Sequence, residues 1–156
     1  MRPHVWTNGA YVIAGIILAL TGQYIAGAGL AILGYCSWVG HARGGKWWYL
    51  DWAGMYISLS AIIAQNLDMW YVVLAWPFVI LATMRHRFDS VLLTAVLFAF
   101  AVASAVHMDV NILYACALFG AGFILRQQVS YGDPDYDLFH GAWHILTAIG
   151  YIFLLP

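Results

Sequence analysis

Residues 24–46 read YIAGAGLAILGYCSWVGHARGGK. The first eighteen of them, 24–41, carry no Asp, Glu, Lys or Arg, and the polar stretch HARGGK closes the run. As a helix rising 1.5 Å per residue, such a run is about 27 Å long, at the short end of what spans a hydrocarbon core. Within it, Ser37 and His41 stand four residues apart, so on a helix they share one face.

The same punctuation repeats in both directions. It divides the chain into seven apolar runs, near 6–22, 24–41, 49–66, 69–84, 89–106, 109–126 and 138–155. The breaks are TGQ, HARGGK, NLD, RHRFD, HMD and RQQVSYGDPDYD. Helices are expected throughout, because backbone N–H and C=O groups inside a bilayer must be satisfied within the segment. Composition agrees. Of 156 residues, 64% are hydrophobic and only 8% charged, which leaves a soluble domain of this size too much apolar surface in water. The net charge of −1, with no Glu and a single Lys, gives no basic footprint for nucleic acid. The N-terminal MRPHVWTNGAYVIAGIILAL begins like a signal peptide but shows no convincing cleavage site, and reads as a retained first helix. Cys36 and Cys116 both fall in apolar runs and read as reduced packing residues.

The basic residues test the count. Arg2 precedes the first run, Arg43 and Lys46 follow the second, Arg85 and Arg87 the fourth, and Arg126 the sixth. With seven spans all of them share the side of the N-terminus, and the positive-inside rule makes that side the cytoplasm. The expected fold is therefore a single all-α membrane domain over 1–156, with seven transmembrane helices, N-terminus in and C-terminus out.

This topology gathers the unusual polar residues. HGAWH, residues 140–144, places His140 and His144 on one face in the first turns of the last run. Gly141 and Ala142 between them let a neighbouring helix come close. His41 ends the second run, and Asp51, in LDWAG (50–54), opens the third. Histidines and carboxylates are costly inside a membrane and mark function there. Three neutral imidazoles suit Zn²⁺, and three protein ligands leave an open position of the catalytic kind. Asp51 is then placed to hydrogen-bond a water or to support a ligand imidazole, and Ser37 to donate to that water or to a substrate oxygen. His4 and His86 read as headgroup-level side chains, and His107 and Asp109 fall on the opposite side. Asp133, Asp135 and Asp137 read as a solvated loop without calcium-loop spacing, with Asp135 and Asp137 suited to the start of the last helix.

The order SWVGH (37–41), LDWAG (50–54) and HGAWH (140–144), at the end of the second helix, the start of the third and in the last, resembles the seven-helix CREST superfamily. That group includes alkaline ceramidases, adiponectin and progestin receptors, and lipid-remodelling hydrolases of GPI anchors. The resemblance implies an intramembrane hydrolase that holds zinc through His41, His140 and His144. Asp51 and Ser37 would stand beside a zinc-activated water, and the substrate would be an amide or ester of a membrane lipid, cleaved near the cytoplasmic leaflet. The chain departs from the alkaline ceramidases in lacking, at HVWTNG (4–9), the acidic cluster with which they bind calcium.

Other seven-helix or histidine-rich classes fit less well. A retinal protein needs a lysine inside its last helix, and the sole lysine, Lys46, lies in a break. His140 and His144 on one helix cannot both be axial ligands of one haem, though each could serve a different haem with His41 or His107. A transporter calls for broken midplane helices and an internal repeat, neither of which is visible. The main alternative is a receptor or membrane regulator in which zinc only braces the second, third and seventh helices.

Overall fold

Among the described residues every regular element is helical and no strand occurs, in line with the all-α class expected. The computed structural model describes residues 3–106, 112–130 and 132–156. The break at 107–109, with His107 and Asp109, lies outside them.

The first apolar run, 6–22, holds one helix, and a shorter one precedes it. A four-residue helix α1 (Pro3–Trp6) is followed by a corner at Thr7–Asn8, then by α2 (Gly9–Leu20). Proline at the first helical position suits such a start, whereas Asn8 ahead of α2 makes no side-chain cap bond. The second run forms α3 (Tyr24–Arg43). It stops at Gly44, whose φ of +64° favours a residue without a side chain. A 3-10 turn over Gly45–Trp47 leads into α4 (Trp48–Asn66), with Asp51 in its first turn. The fourth run departs from expectation. It opens as 3-10 helix over Trp70–Ala75 and becomes α5 only from Trp76 to His86, with Pro77 in the first turn. Arg87 ends it in the left-handed region, φ +51°. There follow α6 (Val91–Val106), α7 (Ile112–Gln127) and α8 (Tyr136–Ile152), the last starting two residues earlier than the apolar run suggests.

By length and composition, one helix among the described residues, α3, is long and apolar enough to cross a membrane. The helices α2, α6 and α7 are apolar and shorter.

Small residues decide how the helices meet. A Cβ on Gly15 would stand 2.6 Å from the Gly27 carbonyl oxygen, and one on Gly27 would meet the Gly15 oxygen at 2.6 Å. The backbones of α2 and α3 thus touch at a reciprocal glycine pair. Gly54 of α4 lies so close to α3 that a Cβ would be 3.0 Å from the Leu33 Cα. Gly122 and Gly150 admit Trp143 and Phe119 between α7 and α8. Leu30, Leu33, Ile57, Leu59, Ile62 and Leu154 fill the fully buried core. Of the two thiols, both free, Cys36 is buried as expected, whereas Cys116 is exposed and does not pack.

Two hydroxyl bridges tie α8 to its neighbours inside this core. Tyr11 of α2 meets Thr147 at 2.6 Å, and Tyr151 meets Ser58 of α4 at 2.9 Å. Thr147 already donates to the Trp143 carbonyl, and Ser58 to that of Met55, so each phenol is the donor in its bridge. These bridges fix α8 one and two turns beyond His144.

Candidate metal centre

The three histidines expected to share a site do meet. His41 comes from the last turn of α3, and His140 and His144 from the first half of α8. One ring nitrogen from each lies within 4.8 Å of the others. The Nε2 atoms of His41 and His140 are 3.3 Å apart, across 99 residues of sequence. The His41 side chain is 2% exposed, and His140 and His144 are each 1% exposed. In a tetrahedral zinc site with Zn–N near 2.0–2.1 Å, ligand nitrogens stand about 3.3–3.4 Å apart. The His41–His140 separation matches that edge, and the third imidazole nitrogen, within 4.8 Å of both, has a short way to close before the set holds a divalent ion of the zinc type.

The placement follows from local structure. Helical spacing brings His140 and His144 together edge-on, with ring centroids 4.6 Å apart. His41 is brought to them because α3 runs unbroken to Arg43, and because Gly40 lets α4 approach: a Cβ there would be 3.3 Å from that of Asp51. Gly141 does for α8 what the sequence reading expects of a small residue, although its neighbour is the Thr7 corner: a Cβ there would meet the Thr7 methyl at 3.0 Å. An aromatic shell closes the cluster. Trp48 packs edge-on to His41 at 4.7 Å, Tyr136 stacks on His140 at 4.9 Å, and Trp143 and Tyr11 flank His144 at 5.1 and 5.7 Å. The guanidinium of Arg126 lies over the outer part of this shell, 5.6 Å from the Tyr136 ring.

Asp51 is buried, and its Oδ2 lies 3.6 Å from His41 Nε2, the same nitrogen that faces His140. It therefore stands on the inner side of the cluster, where the ligand atoms converge. It does not hold the outer nitrogen of a ligand ring. The mutually close set is the three histidines alone, with Asp51 beside it. Ser37 is buried one turn before His41, as its spacing predicts, but its hydroxyl donates to Asn8 Oδ1 at 2.8 Å. The same hydroxyl also lies within hydrogen-bond reach of the Asp51 carboxyl, so Ser37 stands between Asn8 and the inner side of the cluster.

No family model, no curated protein and no solved structure matches the chain. The site is thus known from its own geometry.

Two residues that touch the site were not singled out in the sequence. Thr7 Oγ1 lies 2.9 Å from His144 Nδ1, and Asn8, 1% exposed, accepts from Ser37 while its Nδ2 donates to the Val5 carbonyl at 3.1 Å. A buried carboxamide in an apolar N-terminal run is the signal that marks Asn8. For Thr7 no local signal exists, since its partner lies 137 residues away. Beside this corner runs a groove of about 250 Å³, with apolar walls of Val5, Trp6, Val12, Tyr35 and Trp38. Asn8 forms part of its lining, and a Cβ on Gly9 would meet nothing there within 4 Å. The remaining expectations on polar residues are local. His86 is exposed, and Asp133 accepts from the Ser130 N–H within the loop at 2.5 Å. Asp135 precedes α8 without a side-chain cap bond, and Asp137 lies in its first turn.

Proposed function

We propose that this chain is an intramembrane zinc-dependent hydrolase that cleaves an amide or ester bond of a membrane lipid. The observation that carries the reading is the meeting of His41, His140 and His144, with the Asp51 carboxyl 3.6 Å from His41 Nε2 on the inner side. His41, His140 and His144 would hold a divalent ion there, which when bound would supply Lewis acidity and lower the pKa of water toward neutrality. The protein's own residues do the rest. Asp51 takes the proton of the attacking water and returns it to the leaving amine or alcohol. The shell of Trp48, Tyr136, Trp143 and Tyr11 keeps bulk water away and holds the imidazoles in place. The resemblance to the CREST superfamily rests on these same residues.

A seven-span, N-in topology belongs to this reading. It is supported by the six basic residues falling on one side of seven runs, and by large apolar side chains on the outer surface. Leu113 is 86% exposed, Leu20 83% and Leu92 75%. Exposure on that scale suits a lipid surround better than water. The centre then sits toward the cytoplasmic leaflet. The substrate comes sideways from the bilayer, and the groove beside Asn8 offers its acyl chain a place between helices. Accordingly, Gly9→Phe should leave metal content unchanged and abolish lipid turnover.

A second reading keeps the metal and removes the chemistry. The gap from Asp51 Oδ2 to His41 Nε2, 3.6 Å, is close to a ligand–ligand edge, so Asp51 as a fourth ligand would make the site a brace in a receptor or regulator. The test is lipid mass spectrometry on membranes with the wild type and with Asp51→Asn, alongside zinc analysis. The hydrolase reading expects a lipid species consumed only by the wild type, with zinc retained in the variant. Loss of zinc on replacing Asp51, with no lipid altered by the wild type, would establish the brace.

A further inference from the structure

The corner between α1 and α2 reaches the centre by a route that the histidines and Asp51 do not use. Thr7 and Asn8 are the two residues between the helices, and they are pinned to the start of α2: Ala10 N–H donates to the Thr7 carbonyl at 3.0 Å and Tyr11 N–H to that of Asn8 at 3.2 Å. Two glycines make room for the corner. Gly141 of α8 faces the Thr7 methyl, and a Cβ on Gly34 of α3 would meet the Asn8 carbonyl oxygen at 3.0 Å. The corner is thus wedged between the two helices that carry the histidines.

Its polar groups have fixed directions. The Val5 carbonyl only accepts, so the Asn8 nitrogen must face it and the Asn8 oxygen must face Ser37. The carboxamide thereby ties α1, the corner and α3 together. Thr7, seated by that tie, places Oγ1 at 2.9 Å from Nδ1 of His144. When a ring nitrogen of a histidine binds a metal, the other is an N–H that needs an acceptor, and that acceptor fixes tautomer and ring orientation. We propose that Thr7 is the positioning residue that presents Nε2 of His144 to the metal, with Asn8 as the anchor that holds Thr7 in reach. This rests on the metal centre of the preceding section, though not on any reaction there.

The test is zinc affinity by chelator competition on the full-length protein, together with the visible spectrum of the cobalt-substituted form. Thr7→Val keeps the shape and removes the oxygen. It should weaken zinc binding by about 10- to 100-fold and alter the cobalt bands. Thr7→Ser should restore both, which a purely structural role for the side chain would not require. Asn8→Leu should weaken binding less, and should add little to Thr7→Val in the double variant, because both act through one contact. Should Thr7→Val fail to fold, Gly141→Ala presses on the Thr7 methyl without removing its oxygen, and should lower affinity to an intermediate degree. Wild-type affinity and spectrum in Thr7→Val, or in Gly141→Ala if only that folds, would overturn the inference while leaving the metal centre intact. A wild type that binds no zinc would overturn both.

Discussion

At the scale of single residues, burial separates the roles. Asp51 lies inside the cluster on the side where the imidazole nitrogens converge, and in the hydrolase reading proposed above its carboxyl moves the proton. Asp51→Asn should therefore retain zinc and lose about 10²- to 10⁴-fold in turnover, the usual worth of a positioned acid–base group. Ser37 is different. Its hydroxyl donates to Asn8 Oδ1, so Ser37→Ala strands a buried acceptor. We expect a loss of about 1–3 kcal/mol in stability, read as a lower melting temperature in detergent, with zinc still bound. The site histidines and Asp51 were legible in the sequence because ionisable residues in apolar runs are few, and because fourfold spacing fixes a face. The partner of Ser37 was not legible, since a hydroxyl in a helix gives no sign of which neighbour takes its proton. Thr7 was invisible for a related reason: only the folded chain brings it to His144.

At the scale of elements, polar and glycine punctuation marked the helix ends well. HARGGK, NLD and RHRFD coincide with the ends of α3, α4 and α5. Hydropathy alone missed the 3-10 start of the fourth run, which occurs without a change in apolar character, while the corner at Thr7–Asn8 does coincide with a polar pair at the head of the first run. The glycines of α2 provide a contrast. Gly15 touches the α3 backbone, and Gly15→Ala would push a Cβ to 2.6 Å from a carbonyl that cannot rotate away. It should destabilise by about 1–3 kcal/mol, as overpacking does. Gly9 faces open space, and Gly9→Ala should stabilise by about 0.4–1 kcal/mol through the unfolded chain. Thermal melts of the two variants, run side by side, check both signs.

At the scale of the whole molecule, the arrangement is a helical body whose outer surface is apolar and whose one buried ionisable cluster, among the described residues, sits where α3, α4 and α8 converge. The topology we propose puts Lys46 and Arg126 on the same face. Cysteines substituted there should react with an impermeant maleimide only when the cytoplasmic face is opened, and one at Leu67 should react from outside; the reverse pattern would invert the assignment. The most direct test of the account is metal analysis with X-ray absorption on protein purified without chelator. The account predicts one zinc per chain with nitrogen neighbours at about 2.0–2.1 Å, lost in each of His41→Ala, His140→Ala and His144→Ala. A folded wild type that carries no zinc, or zinc that survives all three substitutions, would contradict it.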